Sequence, residues 1–238
     1  MTELISARVE SVTAVGSRQA LVVCDVEDSP LRASHTIPGQ FVKADLWREQ
    51  VARPYAIASP PGSPRLELLV KLPHGDTAAA LERRSALVSL MPGETIFMGC
   101  AEGRGYPLVA LAGTDVWLIA TGTGIAPLRS LIETILRDRD RFGELTLLYG
   151  VQTPDDLAFS ERFGAWIGQG VSVRPIVSRP AHTTWGGASG YVQDHLPSVL
   201  AHPGRTQAVV CGLPEMDRVV AARLLELGVG PDRVHRNW

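Results

Sequence analysis

Short apolar runs separated by turn residues fill the first part of the chain. Runs with strand-like composition lie at 5–12, 20–25, 40–46, 53–58, 66–72 and 94–98. Pro-Gly pairs at 38–39 and 92–93 and a Pro-Pro-Gly sequence at 60–62 stand between them as turn signals. Repeated short strands separated by such turn signals predict an antiparallel sandwich or barrel. An Ala-rich stretch at 77–84 predicts one helix among the strands.

The pattern changes after residue 111. A continuous apolar run at 116–120 is typical of a strand that is buried on both faces. Further strands are predicted at 145–149, 171–177 and 208–211, and helices at 127–139, 156–166, 191–200 and 215–227. Strands that alternate with helices indicate βαβ units and a parallel sheet. We therefore expect one domain over 1–111 and an α/β domain over 112–238.

Composition narrows the class of protein. The chain has 238 residues, 45% of them hydrophobic, with a formal net charge of -2, which is typical of a globular protein without a basic nucleic-acid surface. No apolar run approaches the ~20 residues that span a bilayer, and the N-terminus lacks a signal pattern, so we expect a cytoplasmic protein. The three cysteines stand apart and the six histidines form no i, i+4 pair, so we expect no metal site.

Residues 121–127 read Thr-Gly-Thr-Gly-Ile-Ala-Pro, between a buried strand and a helix. Small residues let backbone amides approach a pyrophosphate, and a helix N-terminus favours its negative charge. Parallel sheets bind ligands outside the carboxyl ends of their strands, which is where this motif falls. The alternative is a tight turn that binds nothing, and Pro127 stands where a dinucleotide fingerprint would have its third Gly.

Three other motifs are ambiguous when each is taken alone. Arg53-Pro-Tyr-Ala-Ile-Ala-Ser suits a flavin phosphate and ring, although an Arg–Tyr strand is common on half-exposed sheets. Val70-Lys-Leu-Pro-His-Gly-Asp-Thr ends at a helix, where Asp76 or Thr77 alternatively serves as a simple N-cap. Cys211-Gly-Leu-Pro-Glu-Met again joins a strand to a helix, and a buried structural Cys is its alternative reading.

Taken in order, the four motifs resemble the ferredoxin–NADP reductase superfamily of flavoproteins, over almost the whole chain. Pro92-Gly-Glu and Gly103-Arg-Gly-Tyr-Pro-Leu look like the barrel-closing turn and the link to the second domain in that family. The resemblance implies a six-stranded antiparallel β-barrel that binds FAD, followed by a five-stranded parallel Rossmann-like α/β sheet that binds NAD(P)H. Hydride would pass from NAD(P)H to flavin N5, and electrons would continue to an acceptor that the sequence does not name.

The resemblance also assigns individual residues. Arg53 would hold the flavin phosphate, with Tyr55 against the isoalloxazine ring. The residues assigned to FAD are Arg53, Pro54, Tyr55, Ala56, Val70, Lys71, Leu72, Gly75, Asp76 and Thr77. The residues assigned to the nicotinamide nucleotide are Thr121, Gly122, Thr123, Gly124, Ile125, Pro127, Gly150, Ser178, Arg179, Tyr191, Cys211, Gly212, Leu213, Pro214, Glu215 and Met216. The residues expected beside the reacting rings are Tyr55, Ala56, Cys211 and Trp238.

Several positions depart from the family pattern. Ala56 stands where a Ser close to flavin N5 is usual, so we expect a slower or differently tuned hydride transfer. Trp238 looks like the aromatic residue that stacks on the flavin in some relatives, the alternative being a frayed hydrophobic end. Ser178 and Arg179 match a 2′-phosphate pair, but Ser189 replaces a basic residue of NADP-specific relatives. The sequence therefore does not decide whether the nicotinamide cofactor is NADH or NADPH.

Three functions compete. The leading one is an NAD(P)H oxidoreductase that holds FAD and serves a carrier or small acceptor, with a free-flavin reductase as its close alternative. The Gly75 loop and the helix after it favour bound FAD. A second class is an electron-transfer subunit of a larger complex, against which stands the lack of a C-terminal Cys cluster. A binding protein that has lost the chemistry is the third, supported only by Ala56.

Overall fold

The first half of the chain forms an antiparallel barrel. The computed structural model describes residues 4–47, 49, 51–73, 75, 77–180 and 184–236. The strands are β1 (Ile5–Val15), β2 (Gln19–Asp25), β3 (Phe41–Ala44), β4 (Arg53–Ala56), β5 (Arg65–Lys71) and β6 (Thr95–Met98). They form a six-stranded sheet in the order β4-β3-β6-β1-β2-β5. A bridge between Ile57 and Leu68 joins the two edge strands and closes the barrel. All six predicted strands are present.

Two helices interrupt these strands. α1 (Pro30–Ser34) precedes β3 and α2 (Ala78–Val88) precedes β6. The sequence predicts the second of them and not the first, which has only five residues. The barrel core is apolar because alternate strand residues point inwards, as in β2 and β5, where Val22 and Leu68 are fully buried.

The second half of the chain forms a parallel sheet. After the short helix α3 (Leu108–Leu111) come β7 (Asp115–Thr121), α4 (Ile125–Leu136), β8 (Leu145–Val151), α5 (Phe163–Gly168), β9 (Val171–Val177), β10 (Ala188–Ser189), β11 (Thr206–Cys211), α6 (Pro214–Glu226) and β12 (Val234–Arg236). The described strands pair in the order β10-β9-β8-β7-β11-β12, and all of these pairs are parallel. The sheet has six strands where the resemblance implies five, and its two short edge strands, β10 and β12, are absent from the strands that the sequence pattern predicts.

Of the predicted helices in this half, one is only partly present and one is wrong. The helix predicted at 156–166 is present only from Phe163, as α5, because Phe159 has a left-handed backbone conformation, with φ 61°, that interrupts a right-handed helix, and short 3₁₀ turns stand in place of its first part. The segment at 191–200 has only a 3₁₀ turn over Val192–His195. The backbone becomes extended at Leu196, directly before Pro197, as expected for a residue that precedes proline.

The two sheets share a core. Ala58 and Leu69 of the barrel belong to the same buried apolar cluster as Leu118, Ala120 and Leu147 of the parallel sheet. A second cluster fills the barrel, and a third lies on the other face of the parallel sheet. In the described part of the chain, no helix has the length and apolarity required to cross a membrane.

Candidate nucleotide and flavin site

The carboxyl ends of four parallel strands lie at one edge of the sheet. Thr121 of β7 pairs with Gly150 of β8, and Ala120 pairs with Cys211 of β11. Gly150 in turn pairs with Ile176 of β9. The three segments that the sequence assigns to a nicotinamide nucleotide therefore begin at the same level, because the register of a parallel sheet aligns its strand ends.

The turn between β7 and α4 has the features of a phosphate-binding loop. Gly122 has φ +53°, and no heavy atom lies within 4 Å of the position that a Cβ would take, so the turn faces open space. Gly124 is buried, and a Cβ there would overlap the carbonyl oxygen of Cys211. Thr123 lies between them, and α4 begins at Ile125 with Pro127 in its first turn, where a missing N–H removes no helical hydrogen bond.

The loop after β11 contacts this turn directly. The backbone N–H of Leu213 donates to Oγ1 of Thr121 over 3.1 Å. Gly212 therefore lies beside the phosphate loop, and Pro214 begins α6 as the sequence predicts. The remaining residues of the motif differ in exposure: Leu213 and Glu215 are exposed, whereas Met216 is buried.

Cys211 is buried, and burial raises the pKa of its thiol to about 12, against a smaller opposing effect of the Tyr106 hydroxyl. The thiol is therefore protonated at neutral pH. Tyr106 lies beside it and is not among the predicted site residues. Burial raises the pKa of its phenol well above the usual value, and the Cys211 thiol adds to the rise. Its ring packs against Gly39, and its signal in the sequence is its place in the Gly-Arg-Gly-Tyr-Pro-Leu link.

The predicted 2′-phosphate residues lie beyond β9. Ser178 donates its backbone N–H to the Val151 carbonyl over 2.9 Å, and its hydroxyl contacts the same oxygen at 3.3 Å. Arg179 is exposed, with its backbone bonded to Gln152. Tyr191 is 63% exposed, and its neighbour Val192 packs over Gly150. The structure brings all these residues to the edge of the sheet where the strands have their carboxyl ends.

The barrel presents Arg53 and Tyr55 on β4. Nη2 of Arg53 lies 2.9 Å from Oε2 of Glu49, whereas its Nη1 is buried with no hydrogen-bond partner among the described residues. Glu49 also pairs with Arg83. The hydrogen bond from Arg83, which has the larger effect, and the hydrogen bond from Arg53 both lower the pKa of the Glu49 carboxyl. The Tyr55 hydroxyl accepts a hydrogen bond of 3.0 Å from Trp47 Nε1, and burial raises the pKa of this phenol.

The other β4 residues differ in exposure. Pro54 is exposed, and Ala56 is half-buried against the core that the two sheets share. The motif therefore runs from the solvent side of the barrel to its junction with the parallel sheet.

The end of β5 and the start of α2 form the third predicted segment. Val70 and Leu72 are buried and Lys71 is exposed. The Leu72 amide donates to the Arg18 carbonyl over 2.7 Å, so this amide is already engaged within the barrel.

The helix-capping interpretation of Thr77 is confirmed, since its Oγ1 accepts from the Ala80 amide at 3.3 Å. The Gly75 carbonyl accepts from Arg84. Two predicted site residues, Asp76 and Trp238, lie outside the described residues and stay sequence predictions. The described residues contain no group of three or more His, Cys, Asp or Glu side chains that would hold a metal ion.

The two sets of motifs face each other. β5 packs against the Gly122–Gly124 turn, and Ala56 packs against the core that underlies this turn. The residue types fit a dinucleotide flavin. Arg53 has a buried N–H without a partner among the described residues, from which a phosphate oxygen would accept a hydrogen bond. Tyr55 has a half-buried aromatic ring beside it. The two sets of motifs therefore lie close to each other where the barrel meets the parallel sheet.

Comparison with known proteins gives the family. Residues 118–222 match the model of the oxidoreductase NAD-binding domain. The chain is 32% identical over 200 residues to ferredoxin–NADP reductase B of Sorangium cellulosum, covering 78% of this chain and 77% of that protein. It is 26% identical to the gamma subunit of sulfhydrogenase 1 of Pyrococcus furiosus, covering 95% of this chain and 76% of that subunit.

A solved structure shares the fold. Ferredoxin NADP+ reductase from Neisseria gonorrhoeae, with bound FAD and NADP, superimposes with a TM-score of 0.79 at 21% identity, covering 100% of both chains. The chain belongs to the ferredoxin–NADP reductase superfamily of FAD- and NAD(P)-binding oxidoreductases. Within it, the protein is an NAD(P)H-dependent flavoenzyme.

Proposed function

We propose that the protein holds FAD between the barrel and the parallel sheet, oxidises NAD(P)H there, and delivers electrons to a separate acceptor. The barrel, within residues 1–111, is the flavin domain, and residues 112–238 form the nicotinamide-nucleotide domain. The observation that supports the proposal is the contact between β5 and the Gly122–Gly124 turn, because it puts the strand of the second flavin motif next to the turn proposed to bind the pyrophosphate.

On the flavin side, the chain supplies charge and a ring. Arg53 donates its free Nη1–H to a phosphate oxygen, while Glu49 holds the other end of the guanidinium in place. Tyr55, fixed through its hydroxyl by Trp47, lies against the isoalloxazine. Thr77 caps α2 and leaves its hydroxyl hydrogen free to donate towards the pyrophosphate.

On the nucleotide side, the amides of the Gly122–Gly124 turn and the N-terminus of α4 bind the pyrophosphate. Cys211 and the loop after it form the surface along which the nicotinamide lies. The thiol of Cys211 is protonated, so it adds no charge beside the nicotinamide. A bound flavin would supply a hydride acceptor for NAD(P)H and a carrier of one or two electrons. The chain's own contribution would be to hold the two ligands in a fixed mutual position and to exclude water.

The choice of nicotinamide cofactor rests on the end of β9. Arg179 is exposed and has its guanidinium in solvent, where a 2′-phosphate would meet it. The Ser178 hydroxyl already contacts the Val151 carbonyl, so it donates to a phosphate only by breaking that contact. These features leave NADPH and NADH both acceptable, and a titration with each cofactor decides between them.

An electron-transfer subunit is the second candidate. Its support is the similarity to the sulfhydrogenase 1 gamma subunit, which extends over 95% of this chain. A subunit of this kind requires a partner chain that takes the electrons, and the acceptor would then be that partner. Co-purification of the tagged protein with a stoichiometric redox partner from its native cells would favour this candidate.

The test of the main proposal is an absorption spectrum of the freshly purified protein, followed by anaerobic titration with NADH and NADPH. Flavin bands that survive gel filtration and bleach with either cofactor are the expected result. A colourless protein that oxidises NAD(P)H only with added free flavin would make flavin a substrate. A colourless protein that is inactive with FAD, FMN and riboflavin would refute the proposal.

A further inference from the structure

A buried ion-pair network joins the barrel to the parallel sheet. The side chain of Arg129, on α4, is only 2% exposed. Its Nη2 lies 2.9 Å from Oε1 of Glu67 on β5, and its Nη1 contacts the other carboxylate oxygen, so the pair is bidentate. Its Nε donates to Glu133 over 3.0 Å, and its guanidinium lies 4.5 Å from the ring centroid of Phe159. The guanidinium therefore has carboxylates at its N–H edges and an aromatic ring against one face.

Both ends of this pair lie close to ligand-binding segments. Glu67 stands three residues before Val70 on β5, and its carbonyl accepts from the amide of Ala58, in the segment that directly follows β4. Arg129 stands four residues after Ile125, at the start of the helix that follows the phosphate loop. The pair therefore connects the two sides of the cleft by a short path through rigid elements.

Further hydrogen bonds cross the same interface. Arg137, directly after the end of α4, donates to the Pro61 carbonyl over 2.9 Å. Gln19 of β2 donates to the Asp156 carbonyl over 2.9 Å. These contacts surround the apolar core that both sheets share. Domain motion is expected where interfaces are small and polar, and this interface is apolar at its centre.

We propose that Arg129 and Glu67 are positioning residues that fix the nicotinamide site relative to the flavin site, and so set the rate of hydride transfer. The proposal rests on the proposed function for its kinetic part. Its physical basis is that a planar guanidinium and a carboxylate allow one mutual orientation when two parallel hydrogen bonds form. Two neutral side chains of similar volume fill the same space without this orientation.

The expected effect follows from the distance dependence of the reaction. Misplacement of a reacting group by about 1 Å costs up to ~100-fold in rate. We expect the first-order rate of flavin reduction at saturating NAD(P)H to fall at least about tenfold when the pair is neutralised. The dissociation constants of FAD and NAD(P)H stay close to wild type, because each ligand keeps its own contacts.

The test uses the double variant E67Q/R129M, which removes both charges and leaves no unpaired charge on either side, since Glu133 retains Arg162 at 3.9 Å. The variant R129K keeps the charge and loses the bidentate geometry, and we expect an intermediate rate. The matched control is R223Q, which breaks an exposed pair with Glu226 on α6. Stopped-flow flavin reduction is measured on flavin-loaded protein of each type, with thermal unfolding to confirm the fold.

A second readout needs no activity. Spin labels on the half-buried Cys100 of the barrel and on an introduced I167C, at an exposed position of α5, report the distance between the two sheets. We expect a broader or shifted distance distribution in E67Q/R129M and an unchanged one in R223Q. An unchanged rate in folded, flavin-loaded double variant would overturn the proposal. If the wild type fails to reduce flavin, the proposed function falls, and the label distances alone then decide whether the pair positions the sheets.

Discussion

The buried N–H of Arg53 gives the flavin proposal its sharpest test. Nη1 of this side chain is shielded from solvent and has no hydrogen-bond partner among the described residues, whereas Nη2 is held by Glu49. A buried donor without a partner is unfavourable, so its place beside a half-buried Tyr is best explained by a ligand. The variant Arg53→Gln keeps much of the side-chain length and removes the charge and the free N–H.

The size of the effect can be worked from that one contact. A hydrogen bond between charged groups contributes about 1.5–3 kcal/mol. Its loss corresponds to a rise in the dissociation constant of FAD of about 10- to 150-fold. Glu49 keeps its pair with Arg83, so the substitution leaves no unpaired carboxylate to lower the stability of the fold.

Isothermal titration of the flavin-free protein with FAD measures this constant directly. The matched control is Arg83→Gln, because Arg83 also pairs with Glu49 but has a side chain that is 45% exposed. We expect Arg83→Gln to bind FAD nearly as tightly as the wild type. If Arg53→Gln binds FAD as tightly as Arg83→Gln does, Arg53 does not hold the flavin phosphate.

Three further predictions concern single residues. Ala56→Ser adds one hydrogen-bond donor near the flavin ring and should raise the rate of flavin reduction about 2- to 10-fold in stopped flow; no change would mean that the hydroxyl is not needed. Burial lowers the pKa of His35 to about 4, so the unfolded chain takes up a proton that the folded chain does not between pH 6.5 and 4. Urea unfolding should therefore show roughly 3 kcal/mol of stability lost as the pH falls through this range, and His35→Gln should lose this dependence. A thiol reagent at pH 8 should modify the half-buried Cys100 and spare Cys211, whose raised pKa keeps it protonated; equal labelling of both would contradict this.

Local patterns were sufficient for the barrel and for most of the parallel sheet. Short apolar runs between turn signals predict strands such as β2, and the continuous apolar run at 116–120 predicts β7, because each pattern reflects contacts within one sheet. The Gly122–Gly124 turn is also predicted from local sequence, because the strand and the helix that define it are its direct neighbours along the chain. The short helices α1 and α3 were missed, because four or five residues carry little periodicity.

Long-range contacts explain what the sequence did not predict. Residues 156–166 contain good helix formers, yet Phe159 adopts φ 61° and lies buried beneath the guanidinium of Arg129. Arg129 itself looks like an ordinary polar residue of a helix, and its partner Glu67 is 62 residues away. A charged side chain is rarely buried unless it is paired, so the burial of Arg129 depends on Glu67, a residue of the other sheet. Arg129 also contacts Phe159, the residue at which the predicted helix is interrupted. The residues that connect the two halves of the site are therefore those whose local sequence says least about their role.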